Sequence, residues 1–133
     1  MIEIEPSPAL RVLCAVAVAA MAAQLLVLAE PAFAVRVVEL TWDKAIHFAF
    51  FGAVAFFLWI ATDKRWPLAI WATVVLIGAI DETHQQVVPG RTADLNDLLA
   101  DGFGAAAALM VMKRVSPPVA IAANARTESR KGE

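Results

Sequence analysis

Four apolar runs divide the chain, and short polar segments separate them. The runs cover residues 10–28, 45–61, 67–80 and 95–112. Each run is apolar on every side of a helix, which is typical of a helix immersed in lipid. At about 1.5 Å per residue, the longer runs approach the ~30 Å hydrocarbon thickness of a bilayer. The pattern therefore predicts an all-α integral membrane protein with about four transmembrane helices in a compact bundle.

The third run is too short to cross a bilayer alone, and a polar stretch follows it directly. That stretch is "DETHQQVVPGR", residues 81–91. Helical turns through its first half would complete the span and bring polar side chains to the membrane surface. Pro67 fits the first turn of this helix, and Pro89 with Gly90 predicts the turn that ends it. The third and fourth runs should thus form a helical hairpin.

Composition supports a membrane location and limits the domain count. Hydrophobic residues make up 60% of the 133 residues, above the roughly 45–50% of soluble domains. We expect one membrane domain at residues 1–115 and a short, disordered cytoplasmic tail at residues 116–133. A net charge of -2 with few, dispersed basic residues argues against nucleic-acid binding.

The cations are distributed unevenly between the two predicted sides of the membrane. Eight of the eleven lie in the N-terminus, the "TDKRW" loop and the tail, and the other three are Arg36, Lys44 and Arg91. Because cytoplasmic flanks collect Lys and Arg, we predict that both termini are cytoplasmic. The loops at residues 30–44 and 81–97 then face outward. The predicted location is the cell membrane, with a polar site on the extracytoplasmic side.

An alternative interpretation of the first run is a cleaved signal peptide. The triplet "AFA" at residues 32–34 has the small-x-small form of a signal-peptidase site. Two glutamates precede the first cation, Arg11, and the apolar run is longer than a usual signal segment. We therefore expect the first run to remain as a helix.

Two polar groups should meet on the outward face. In "DKAIHF", Asp43 and Lys44 lie four and three residues before His47, so the three can share one side of a helix. At the end of the third helix, Glu82 and Gln85 are spaced in the same way. Because consecutive helices cross in opposite directions, we expect the two groups to lie at one height.

The fourth run adds carboxylates to the same face. Asp97 and Asp101 are four residues apart, and Gly104 and Ala108 continue their stripe as small residues that permit close helix contact. A charge at the centre of a membrane helix costs about 2.5–3.5 kcal/mol on insertion scales. Asp101 and His47 should therefore face each other, a water-filled pocket or a ligand. The alternative is an ordinary cluster of solvated residues at helix ends.

The three polar motifs together resemble one family. "DKAIHF", "DETHQQVVPGR" and "DLLADGFG" are similar to the pattern of the VanZ-like family of small bacterial membrane proteins, over residues 42–112. The family's polar positions fall on Asp43, Lys44, His47, Asp81, Glu82, Gln85, Pro89, Gly90, Arg91, Asp97 and Gly104. Asp101 stands where the family usually has asparagine, and Ala108 where it often has a second glycine.

The resemblance implies a role at the cell envelope. The family takes its name from a protein that lowers susceptibility to the glycopeptide antibiotic teicoplanin, and it has been compared with membrane enzymes that act on phosphate linkages of lipids. The expected partners are membrane lipids, including a polyprenyl-phosphate-linked envelope precursor. The expected target is a phosphate-linked headgroup of the polyprenyl-phosphate or phospholipid type.

The chemistry of the side chains assigns candidate roles. The catalytic candidates are His47 and Glu82 for proton transfer, with Asp43 to orient the imidazole. The candidates for substrate binding are Lys44, Gln85, Arg91, Asp97 and Asp101, where the two cations would neutralise phosphate oxygens.

The sequence does not distinguish an enzyme from a binding protein that holds a lipid or an envelope precursor without catalysing a reaction. A zinc site from His47, His84 and a carboxylate is disfavoured because neither histidine lies in a metal motif, and we assign no metal or cofactor from the sequence. A divalent cation that bridges phosphate to Asp94, Asp97 or Asp101 remains an open alternative.

Overall fold

Four helices form the part of the chain that the structure describes. The computed structural model describes residues 5–27, 42–87 and 92–115. The helices are α1 (Pro8–Val27), α2 (Asp43–Ala61), α3 (Pro67–Gln85) and α4 (Leu95–Val115). No strand occurs within the three described ranges. The predicted all-α class is therefore confirmed.

Helix α3 extends beyond its apolar run, as predicted. It begins at Pro67, where the missing N–H of proline would have had no helical partner. It continues to Gln85, so the polar side chains from Asp81 onward are carried on a rigid helix. The Pro89–Gly90 turn predicted after it lies outside the described residues.

Three helices are long and apolar enough to cross a membrane. The candidate spans are Pro8–Leu25, Asp43–Ala61 and Leu95–Val115. Helix α3 is not among them, because its last turns carry polar side chains that reduce its apolar character. A membrane protein is thus supported, whereas the crossing by α3 and the cytoplasmic location of both termini remain predictions. The "AFA" triplet and the tail at residues 116–133 lie outside the described residues.

Helices α2 and α4 form the most extensive contact in the bundle. A side chain at Gly104 would collide with the backbone of Phe48, and a Cβ at Gly52 would lie 3.3 Å from the carbonyl oxygen of Gly104. The two backbones therefore touch, as the stripe of small residues predicted. Below this contact, Trp59 and Ala105 are fully buried in the apolar core.

The remaining contacts show which helix ends lie at the same end of the bundle. Helix α1 packs mainly on α2, and α3 packs on both α4 and α2. At one end of the bundle, Arg11 of α1 lies 3.8 Å from Asp63, just after α2. The start of α2, the end of α3 and the start of α4 consequently share the opposite end.

Candidate functional site

The polar side chains at that opposite end form one group, which we call the polar cluster. Its members are Asp43, Lys44, His47, Asp81, Glu82, Gln85, Asp94, Asp97 and Asp101. They come from α2, α3, α4 and the residue before α4.

The imidazole of His47 lies buried between α2 and α4. Its Nδ1 is 2.9 Å from Oδ1 of Asp101, and Asp101 has no exposed surface. The close contact of Gly104 with Phe48, the residue after His47, brings the two helices near enough for this hydrogen bond. Asp101 thus fixes the orientation of the ring. Asp43 is farther away, with its Oδ1 4.0 Å from Nε2 of His47.

The second oxygen of Asp101 is in an unusual environment. Oδ2 is buried and has no hydrogen-bond partner among the described residues. A methyl group at Gly78 of α3 would overlap this oxygen. Because Gly78 has no side chain, the carboxylate of Asp101 can lie directly against α3, one turn before Asp81.

Lys44 holds the start of α4 to the start of α2. Its Nζ is 2.9 Å from Oδ2 of Asp94 and 2.9 Å from Oδ1 of Asp97. Oδ1 of Asp94 also accepts from the backbone N–H of Asn96 at 2.9 Å. The Asn96 N–H and the Lys44 ammonium lower the pKa of the Asp94 carboxyl below its ordinary value. About half of the Lys44 side chain is exposed, so a ligand can still reach the ammonium.

The last turns of α3 complete the cluster. Glu82 accepts a hydrogen bond from the backbone N–H of Asp94 at 2.7 Å. Gln85 donates to Oδ2 of Asp81 at 2.8 Å. These contacts join α3 to the residue before α4 and hold both carboxylates in place.

Negative charge predominates in the buried part of the cluster. Four carboxylates are at most 6% exposed, those of Asp81, Glu82, Asp97 and Asp101. Within the described residues, the basic side chains that contact them are Lys44 and His47. Burying carboxylates is costly unless they are paired, so the buried part of the cluster favours a cation. An anion would instead approach the exposed ammonium of Lys44.

Two sets of side chains have the spacing of metal ligands. One set is His47, Asp81 and Glu82, and the other is Asp43, His47 and Asp97. Within each set the potential ligand atoms lie within 4.8 Å of one another. His84 belongs to neither set among the described residues.

Most of the side chains singled out from the sequence are brought together. His47 and Glu82 meet at one end of the bundle, and α4 adds Asp97 and Asp101 from its first turns. Arg91 lies outside the described residues, so its expected place over the site remains a prediction.

The sequence predicts no firm role for two members of the cluster. Asp81 lies within a motif, and its position four residues before Gln85 is the signal that could identify it. The contact of Asp94 with Lys44 joins residues 50 positions apart, and no local pattern indicates it. Asp101 accepts the hydrogen bond from Nδ1 of His47, whereas the sequence predicts Asp43 as the orienting carboxylate.

Comparison with known proteins supports the resemblance seen in the motifs. The sequence model of the VanZ/LLP1 family matches residues 9–116. No curated protein and no solved structure gives a significant match to the chain.

Proposed function

The chain belongs to the VanZ/LLP1 family, and from that premise we propose that it acts on a phosphate-linked lipid headgroup at the extracytoplasmic face of the cell membrane. The observation that carries the proposal is the polar cluster at one end of otherwise apolar helices. A headgroup at the lipid–water boundary would meet the cluster while its acyl or prenyl chain stayed beside the helices. The uneven distribution of cations along the sequence supports the outward orientation.

The proposed reaction is hydrolysis of a phosphate ester or anhydride. Glu82 accepts a proton from the attacking water as the new P–O bond forms. His47, protonated and oriented by Asp101, donates a proton to the leaving oxygen as the old P–O bond breaks. The 2.9 Å contact between His47 and Asp101 supports this role, because a carboxylate stabilises the imidazolium form. Asp43 is the second carboxylate beside this ring.

The other side chains would bind the headgroup. Lys44 contributes a partly exposed ammonium, and Arg91 would add a bidentate contact to phosphate oxygens. Gln85 and Asp97 would hold the polar groups that surround the phosphate. Polyprenyl-phosphate and phospholipid headgroups both present this chemistry.

A second candidate is a protein that binds the same lipid or envelope precursor without turning it over. Glu82 already accepts a hydrogen bond from the backbone of Asp94, which is the geometry of a structural carboxylate. The cluster would then retain the headgroup and change the supply of precursor to the surface. Either candidate is compatible with the link to teicoplanin susceptibility that the family resemblance implies.

The substitution Glu82→Gln separates the two candidates. It removes the base but keeps an oxygen that can accept from the Asp94 N–H. The purified chain would be incubated with polyprenyl diphosphate or phosphatidic acid in mixed micelles, while phosphate release and lipid retention are measured by colorimetry and native mass spectrometry. Catalysis predicts loss of phosphate release with lipid retained, whereas pure binding predicts lipid retention and no release even in the parent protein.

The Glu39→Ala variant provides the control, since Glu39 lies outside the motifs. It should keep the activity of the parent protein. A parent protein that neither retains these lipids nor releases phosphate from them would refute the proposal.

A further inference from the structure

We propose that His47, Asp81 and Glu82 bind a divalent transition-metal ion of the Mn²⁺ or Zn²⁺ type. All three side chains are buried, and their potential ligand atoms lie within 4.8 Å of one another. Bonds of about 2.1 Å in a tetrahedral site place ligand atoms roughly 3.4 Å apart. Rotation of the two carboxylates can bring the ligand atoms to this spacing around the ion.

Each proposed ligand is held by a neighbour that does not itself bind the ion. Asp101 holds Nδ1 of His47 at 2.9 Å and leaves Nε2 for coordination. Gln85 holds one oxygen of Asp81 at 2.8 Å. The backbone N–H of Asp94 holds one oxygen of Glu82 at 2.7 Å. Such supporting contacts are characteristic of metal sites, above all a carboxylate on the second nitrogen of a ligating histidine.

A second observation that points to a cation is the unpaired oxygen of Asp101. Its carboxylate is fully buried, and Oδ2 has no hydrogen-bond partner among the described residues. It lies against Gly78, beside the helical turn that carries Asp81 and Glu82. A divalent ion on His47 would compensate the negative charge of all these carboxylates.

The alternative set, Asp43 with His47 and Asp97, fits a metal less well. Asp97 is already bonded to the ammonium of Lys44 at 2.9 Å, and Asp43 is only partly buried. An imidazole nitrogen beside two carboxylates favours Mn²⁺ or Zn²⁺ over Ca²⁺ and Mg²⁺, which prefer oxygen ligands alone. This inference does not rest on the proposed action on lipids. A His47 that binds the ion through Nε2 cannot also carry the proton that the proposed hydrolysis requires, so the two states of His47 exclude each other.

Titration of the purified full chain with Mn²⁺ tests the site, because electron paramagnetic resonance counts bound ions and detects a coordinated nitrogen. We expect one Mn²⁺ per chain, coupled to a single ¹⁴N nucleus, with displacement by Zn²⁺. Glu82→Gln should weaken binding at least tenfold. Asp101→Asn should weaken it about 10- to 100-fold through the orientation and basicity of His47.

Two matched variants serve as controls. His84→Ala removes the chain's other histidine, and Asp63→Asn removes a carboxylate at the opposite end of the bundle. Both should bind Mn²⁺ like the parent protein, whereas His47→Ala should lose the nitrogen coupling. Absence of a stoichiometric ion in the parent protein, or a nitrogen coupling that persists in His47→Ala, would overturn the proposal. The number of bound ions is measured on the parent protein itself. A variant that fails to fold can therefore neither support nor refute the proposal.

Discussion

At the residue scale, we expect the buried pair of His47 and Asp101 to have the largest effect on stability within the polar cluster. Removing one member of a buried ionic pair typically costs about 3–5 kcal/mol, because the other is left unpaired. We therefore predict that His47→Ala lowers the free energy of unfolding by about 3–5 kcal/mol. Asp101→Asn should cost less than about 1.5 kcal/mol, since its amide oxygen can still accept from Nδ1. Urea titration in detergent micelles measures both, and equal losses would contradict the prediction.

A second prediction concerns two glycines of the α3–α4 contact. A Cβ at Gly78 would collide with Oδ2 of Asp101, whereas a Cβ at Gly102 would meet Val75 at an ordinary 3.6 Å. Gly78→Ala should therefore destabilise the protein by about 1–3 kcal/mol, the usual range for overpacking. Gly102→Ala should be neutral or stabilise the helix by up to about 1 kcal/mol. Thermal unfolding of the two variants side by side checks this, and a stable Gly78→Ala would mean that Asp101 can move away.

The residues that sequence analysis could identify were those with a local signal. His47 and Glu82 stood out because each is an ionisable group next to an apolar run. The role of Gly78 was not apparent, since a single glycine in an apolar helix has no distinctive pattern. Its importance depends on Asp101, which reaches it only after α4 has packed on α3.

At the element scale, the contact between α2 and α4 depends on backbone touching backbone. Gly104→Ala should push the helices apart, because its methyl group would overlap Phe48. We predict a clear loss of stability and, with it, loss of the hydrogen bond between His47 and Asp101. Gly52→Ala should cost less, because its Cβ would be 3.3 Å from the nearest atom.

Met110→Leu is the control for this series, since Met110 is more than half exposed on the same helix. Stability can be followed by resistance to detergent-induced unfolding. If Gly104→Ala were tolerated as well as Met110→Leu, the close crossing of the two helices would be refuted.

The helices themselves were largely predictable, because the length of an apolar run determines where a membrane helix begins and ends. The runs at residues 45–61 and 95–112 became α2 (Asp43–Ala61) and α4 (Leu95–Val115). Their parallel packing was expected only in outline, from the alternation of direction along the chain. Which faces meet could not be derived, because helices that are apolar all round offer many equivalent contacts.

At the scale of the whole molecule, the orientation in the membrane is the central prediction. In a Cys14→Ala background, cysteines at positions 92 and 127 should react with an impermeant thiol reagent from opposite sides. Position 92 should be labelled from outside, because the loops with few cations face outward. Cys14 is buried, and alanine adds no polar group at that depth. Labelling of position 127 in intact cells would reverse the assignment of both ends of the bundle.

The separation of His47 and Asp101 along the chain has a consequence for biogenesis. They are 54 residues apart, so at roughly 5–20 residues per second the ribosome needs about 3–11 s to synthesise the second after the first. During that interval α2 can already occupy the membrane with its imidazole unpartnered. Arrival of α4 supplies the carboxylate and should be the step at which the nascent protein becomes resistant to membrane proteases. Chains arrested before α4 should therefore be degraded, even though most of their apolar length has been made.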